Sequence, residues 1–126
     1  MAEEIGKELF AGEMSKMPWR AIYRYARISP RKVRLIVDMI RGRDVQDALN
    51  ILKFSPHRAA VMVSKALTSA IANASEAEAD VEDLVVLEAR VDEGPTIKRM
   101  RPKDRGRWHR INKRTSHIIV VVEQEE

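Results

Sequence analysis

The sequence predicts an α+β fold in which three helices pack on a small three-stranded antiparallel sheet, in the order β-α-α-α-β-β, with a long protruding basic β-hairpin. Three observations predict it. One early segment alternates in polarity at the period of a strand. Three following segments carry apolar stripes at the period of a helix. Two runs of strand-forming residues near the carboxyl end then flank a stretch too basic to bury. With 126 residues and 44% apolar content, the chain can build one modest core. We therefore read residues 18–126 as a single domain, preceded by an acidic extension at 1–17.

That extension carries Glu3, Glu4, Glu8 and Glu13, with Ile5, Leu9, Phe10, Met14 and Met17 at near-helical spacing. A marginal docked helix and a disordered tail both fit the pattern. Residues 19–26 form the first strand, with Trp19, Ala21, Tyr23 and Tyr25 sharing a parity that favours a core face over a stacking platform for the three aromatics, and Arg20, Ile22 and Arg24 outside. Ser29-Pro30 starts the first helix, Ser29 as the cap and Pro30 where no backbone N–H is needed. Val33, Ile36, Val37 and Ile40 are its stripe, and Gly42 offers a left-handed stop. Asp44 caps a short second helix packed through Ala48, Ile51 and Leu52. Ser55-Pro56 repeats the start signal for a third, whose face of Ala59, Met62, Val63, Ala66, Leu67, Ala70 and Ala74 suits close packing at the centre.

After an acidic connection at 75–83, residues 84–122 read as one long antiparallel hairpin. Its base, 84–91 and 115–122, joins the core sheet, while Gly94-Pro95 interrupts the first arm and Arg101-Pro102 with Arg105-Gly106 mark the turn. A two-stranded ribbon alone in water is marginal. This one has little apolar cargo, so we expect order only against a polyanion.

Charge distribution supports that expectation. Residues 20–34 hold Arg20, Arg24, Arg27, Arg31, Lys32 and Arg34 and no acid. Residues 97–114 hold Lys98, Arg99, Arg101, Lys103, Arg105, Arg107, Arg110, Lys113 and Arg114 against Asp104 alone. Fifteen basic residues and one acid give these segments +14, while the remainder, with 8 basic and 18 acidic residues, carries −10. Like charges so concentrated repel unless a polyanion neutralises them. Arginine, with its planar fork, suits phosphate. Trp108 and His109 could stack on unpaired bases, although Trp108 could equally pack on the opposite arm. Met100 is either a chance surface residue or a soft contact for a passing apolar chain.

Other classes find no purchase in the sequence. There is no run long enough to span a membrane and no basic, apolar leader, so a cytoplasmic location is expected. The absence of cysteine removes disulfides and thiolate metal sites. His57, His109 and His117 form no ligand spacing, Ser116 and His117 are adjacent on a strand and point apart, and no phosphate-loop motif occurs. We expect no enzyme, no metal, no cofactor and no small-molecule substrate. A free-standing RNA or DNA chaperone would use the same basic hairpin and remains the competing reading.

Residues 26–42, ARISPRKVRLIVDMIRG, are similar to the signature helix of the bacterial large-subunit ribosomal protein L22 family. Val91-Asp92-Glu93-Gly94-Pro95 and Lys113-Arg114-Thr115-Ser116-His117-Ile118 match that family's hairpin arms, and residues 70–74 the end of its long helix. The resemblance covers about 19–123. It implies a structural constituent of the large ribosomal subunit that binds large-subunit ribosomal RNA, assists assembly and neighbours other ribosomal proteins. It further implies a hairpin tip, at about 97–106, lining the nascent-peptide exit tunnel. Carried onto this chain, Ile97, Lys98, Arg99, Met100, Arg101, Pro102 and Lys103 would meet the nascent polypeptide, in a cytoplasmic or an organellar ribosome. The acidic extension, Asp104 and Trp108-His109 depart from the family's usual pattern.

Overall fold

The computed structural model describes residues 18–125, so the expectations for 1–17 lie outside the described residues. Strand β1 (Trp19–Ala26) leads into helices α1 (Pro30–Ile40), α2 (Val45–Phe54) and α3 (Arg58–Glu76). A 3-10 turn, Val81–Asp83, precedes β2 (Leu84–Glu93) and β3 (Ile97–Pro102). A second, Asp104–Gly106, precedes β4 (Trp108–Lys113) and β5 (Ser116–Gln124). The class is α+β, as expected. The five strands form two antiparallel sheets, β1-β5-β2 and β3-β4, so the single long hairpin expected at 84–122 is divided between them, at the Gly94-Pro95 interruption.

The break has a local cause. Pro95 has no N–H to donate to a ladder. Gly94 N–H still reaches the Thr115 carbonyl at 2.9 Å, while the Thr115 hydroxyl donates to the Pro95 carbonyl at 2.6 Å. This joint replaces regular pairing between the core sheet and the outer ribbon.

The core lies between the helices and one face of the three-stranded sheet. Central strand β5 supplies Ile118, Val120 and Val122, fully buried, opposite Tyr23, Ala21 and Trp19 of β1. Against them lie Val33, Ile36, Val37 and Ile40 of α1 and the small-residue face of α3, where Ala59, Ala66, Ala70 and Ala74 permit close approach. Val45, Ala48 and Leu52 complete the layer from α2.

Helix starts differ from expectation in detail. Neither Ser29 nor Asp44 caps through its side chain. The Ser29 carbonyl instead accepts from Lys32 and Val33 N–H at 3.1 and 3.2 Å. Helix α3 begins at Arg58 rather than at Pro56. Ser29 and Ser55 are both extended, as the proline after each favours, and the Ser55 hydroxyl accepts from His57 N–H at 3.4 Å.

One correction concerns β1. Trp19, Ala21 and Tyr23 face the helices as expected, but Tyr25 does not. A β-bulge between Tyr23 and Ala26 puts Tyr25 in the left-handed region at φ 57° and leaves it 63% exposed. The extra residue shifts the parity, so buried Ala26 takes the core position instead.

Gly94 sits against the joint. A Cβ there would lie 2.5 Å from the Thr115 hydroxyl, which is held by its bond to Pro95. We predict that Gly94→Ala lowers stability by about 1–3 kcal/mol, read as a lower urea midpoint. An unchanged midpoint would mean that the joint yields freely.

Candidate nucleic-acid interface

The ribbon β3-β4 exposes almost everything it has. From Lys98 to Arg110 every residue is exposed, and within its two strands only Ile97 and Ile111 are half-buried. Its register manages the charge. Ile97 pairs with Lys113, Lys98 with Asn112, Arg99 with Ile111, Met100 with Arg110, Arg101 with His109 and Pro102 with Trp108. No lysine or arginine stands directly opposite another, the arrangement that most destabilises a sheet. Alternation then gives both faces cations. Arg99, Arg101 and Lys113 lie on one, and Lys98 and Arg110 lie on the other with Met100, Pro102 and Trp108. Trp108 neighbours Pro102 across the ribbon, yet stays 61% exposed.

The ribbon turns at residues 103–107. Lys103 N–H donates to the Arg107 carbonyl at 2.6 Å, and Arg107 N–H to that of Asp104 at 3.2 Å. Arg105 and Gly106 are both left-handed, at φ 58° and 75°. For Arg105 that conformation costs roughly 1–2 kcal/mol. Ile97 lies at the inner end and Asp104–Gly106 at the apex.

At the ribbon's root, Arg31, Arg34 and Arg114 line a groove of about 420 Å³ with Ser29, Glu93 and Thr115. A second groove, about 450 Å³, lies between the starts of α1 and α3 and is lined by Arg27, Lys32, His57 and Arg58. Neither helix has an acid in its first turn. Cations beside the positive end of a helix are unfavourable unless an anion joins them. Arg58 was missed in the sequence, where one arginine among apolar neighbours looks like an ordinary helix surface. Among the described residues, the ion pairs are Arg41 with Asp38 and Arg90 with Glu88. The predicted basic residues thus meet no described carboxylate within ion-pairing distance.

Arg20 and Arg24 lie apart, exposed on β1. Arg34 has a second duty. Its guanidinium donates to the Val91 carbonyl at 3.1 Å, as Arg41 does to that of Ala89 at 2.7 Å. Val86 also exchanges hydrogen bonds with Gly42 and Arg43. Together these contacts occupy the open edge of β2, which would otherwise be free to pair with another chain. Among the described residues no three His, Asp or Glu converge on a metal-sized site, and no helix is long and apolar enough to cross a membrane.

Comparison with known proteins adds a separate line. A family model described as Ribosomal protein L22p/L17e matches residues 21–123. A large ribosomal subunit protein uL22 of Maridesulfovibrio salexigens is 56% identical over 109 residues, 86% of this chain and 99% of the relative. Its namesake in Desulfosudis oleivorans is 54% identical over 83% of this chain and 92% of its own. That of Desulfitobacterium hafniense is 57% identical over 85% and 96%.

The edge contacts and the groove cations should separate experimentally. We predict that Arg41→Met lowers stability by on the order of 1 kcal/mol and leaves RNA affinity unchanged, whereas Lys32→Ala does the reverse. Denaturant titration and filter binding read the two effects. Equal stability of wild type and Arg41→Met would contradict the edge assignment.

Proposed function

Since the chain belongs to the ribosomal protein L22p/L17e family, whose members are structural constituents of the large ribosomal subunit and not enzymes, we propose that it binds large-subunit ribosomal RNA through the ribbon and its root. The location that follows from its bacterial relatives is the ribosome in the cytoplasm.

One observation carries the proposal. The ribbon spends nine lysines and arginines between 97 and 114 on a structure with almost no apolar contact of its own. Full burial of an isoleucine contributes about 1.5–3 kcal/mol, and the ribbon strands hold two that are only half-buried. Phosphates on both faces would supply what the side chains do not. A ribbon cationic on both faces suits insertion between RNA segments better than docking on one surface. The grooves at the root would take further phosphates, with Arg27, Arg31, Lys32, Arg34 and Arg114 as their cations and Arg20 and Arg24 as flanking contacts.

Beyond the RNA, we assign β2 with β5 and β3 with β4 to one functional arm, a hairpin running from the core into the subunit and holding RNA during assembly. Residues 18–126 would form the RNA-binding domain, with 1–17 as an appendage of separate role. Ile97, Lys98, Arg99, Met100, Arg101, Pro102 and Lys103 would line the exit tunnel, where Met100 offers a soft contact to a nascent polypeptide. Neighbouring ribosomal proteins would be the remaining partners. The exposed ring of Trp108 supports stacking on a base over packing within the ribbon.

Replacing Arg99, Arg101 and Arg105 together with alanine tests the reading. We expect weaker binding to large-subunit ribosomal RNA, a log–log salt dependence shallower by about 2–3, and an unchanged melting temperature. A large drop in melting temperature would mean that the ribbon supports the core instead. The wild-type protein should also co-sediment with large subunits through moderate salt, and recovery only in the soluble fraction would contradict the proposal.

A further inference from the structure

Tyr25 combines features that an ordinary surface tyrosine lacks. Its left-handed backbone, φ 57°, is one that a bulky residue rarely adopts. At this kind of bulge glycine is the residue free of strain. Such strain persists where surrounding contacts over-determine it, and it clusters at binding sites. Here the contacts come from His117. Tyr25 N–H donates to His117 Nδ1 at 3.1 Å, and the two rings meet edge to face, with centroids 5.0 Å apart at 84°. The tyrosine ring is thereby held in one orientation while it stays 63% exposed.

The bulge turns Tyr25 towards the sheet face opposite the helices, where it lines a cleft of about 300 Å³. Ile22, Arg24, Asp92, His117 and Ile119 line it with the tyrosine. Two apolar side chains beside a fixed, exposed aromatic ring suit a flat ligand. Asp92 makes the cleft poor for a phosphate, yet a carboxylate can accept from the N–H groups on a base edge. Arg24 remains for the phosphate that follows.

We propose that this cleft binds one unpaired RNA base, stacked on Tyr25, with its edge towards Asp92 and its phosphate on Arg24. The inference rests on the RNA-binding reading above. It adds an aromatic subsite, on the sheet face away from the helices, to a surface otherwise defined by charge. Because His117 already fixes the ring, stacking costs little further ordering.

The test measures affinity for large-subunit ribosomal RNA transcribed in vitro, over a range of salt, for wild type, Tyr25→Phe, Tyr25→Leu and Tyr25→Gly. Tyr25→Phe should bind within twofold of wild type. Tyr25→Leu, which keeps bulk and backbone strain but loses the ring, should bind on the order of tenfold more weakly at an unchanged salt slope. Tyr25→Gly should weaken binding equally without lowering the melting temperature, since it relieves the strain. If Tyr25→Leu binds as tightly as wild type, the subsite is overturned. A Tyr25→Phe variant as weak as Tyr25→Leu overturns stacking as well. Should Tyr25→Gly fail to fold, the Phe and Leu pair still decides. Wild-type protein that shows no RNA binding would instead overturn the broader reading.

Discussion

The ribbon β3-β4 cannot bury enough apolar surface to hold itself, and most of the molecule's design answers that constraint. A strand pair in water needs a third strand, a helix or a hydrophobic face to be stable. Of its paired residues, only Ile97 and Ile111 are partly shielded. What the register does provide is tolerance of charge, since no paired lysine or arginine directly faces another. The ribbon is thus built to carry cations rather than to pack, and its order is left to whatever neutralises them.

Stability has to come from elsewhere, and the inner domain supplies it. Strand β5 is central, and Ile118, Val120 and Val122 lie wholly beneath the helices. Edge strand β2 is closed by Arg34, Arg41 and the turn at Gly42-Arg43. The joint at Gly94 and Thr115 then passes the chain from a rigid sheet to an unsupported ribbon over very few residues. Thr115 and Ser116 are buried there, and the Ser116 hydroxyl donates to the Ile28 carbonyl at 2.6 Å, which links the joint to the loop before α1. That link anchors the ribbon's root beside the cations at the start of α1.

Much of this was legible in the residues, for identifiable reasons. Apolar stripes at helical spacing located all three helices, and the small residues of α3 marked the closest packing. Segregated charge marked the candidate interface, and motifs at 26–42 and at both hairpin arms pointed to the family to which the chain belongs. The failures are equally specific. Tyr25 was assigned to the core because alternation assumes an unbroken strand, and a bulge at a residue other than glycine leaves no mark in the sequence. Ser29 and Asp44 are typical cap residues, yet neither side chain accepts from its helix's first turn, whereas the Ser55 hydroxyl does accept from His57 N–H at 3.4 Å. The edge-closing role of Arg34 was hidden because an arginine in a basic run looks like one more phosphate contact.

Amide hydrogen exchange of residues 98–112 in the free protein and in its complex with large-subunit ribosomal RNA tests the central claim most directly. The account predicts rapid exchange in the free ribbon while Ile118, Val120 and Val122 remain protected, and slow exchange throughout the ribbon once RNA is bound. A ribbon as protected as β5 in the free protein would contradict it.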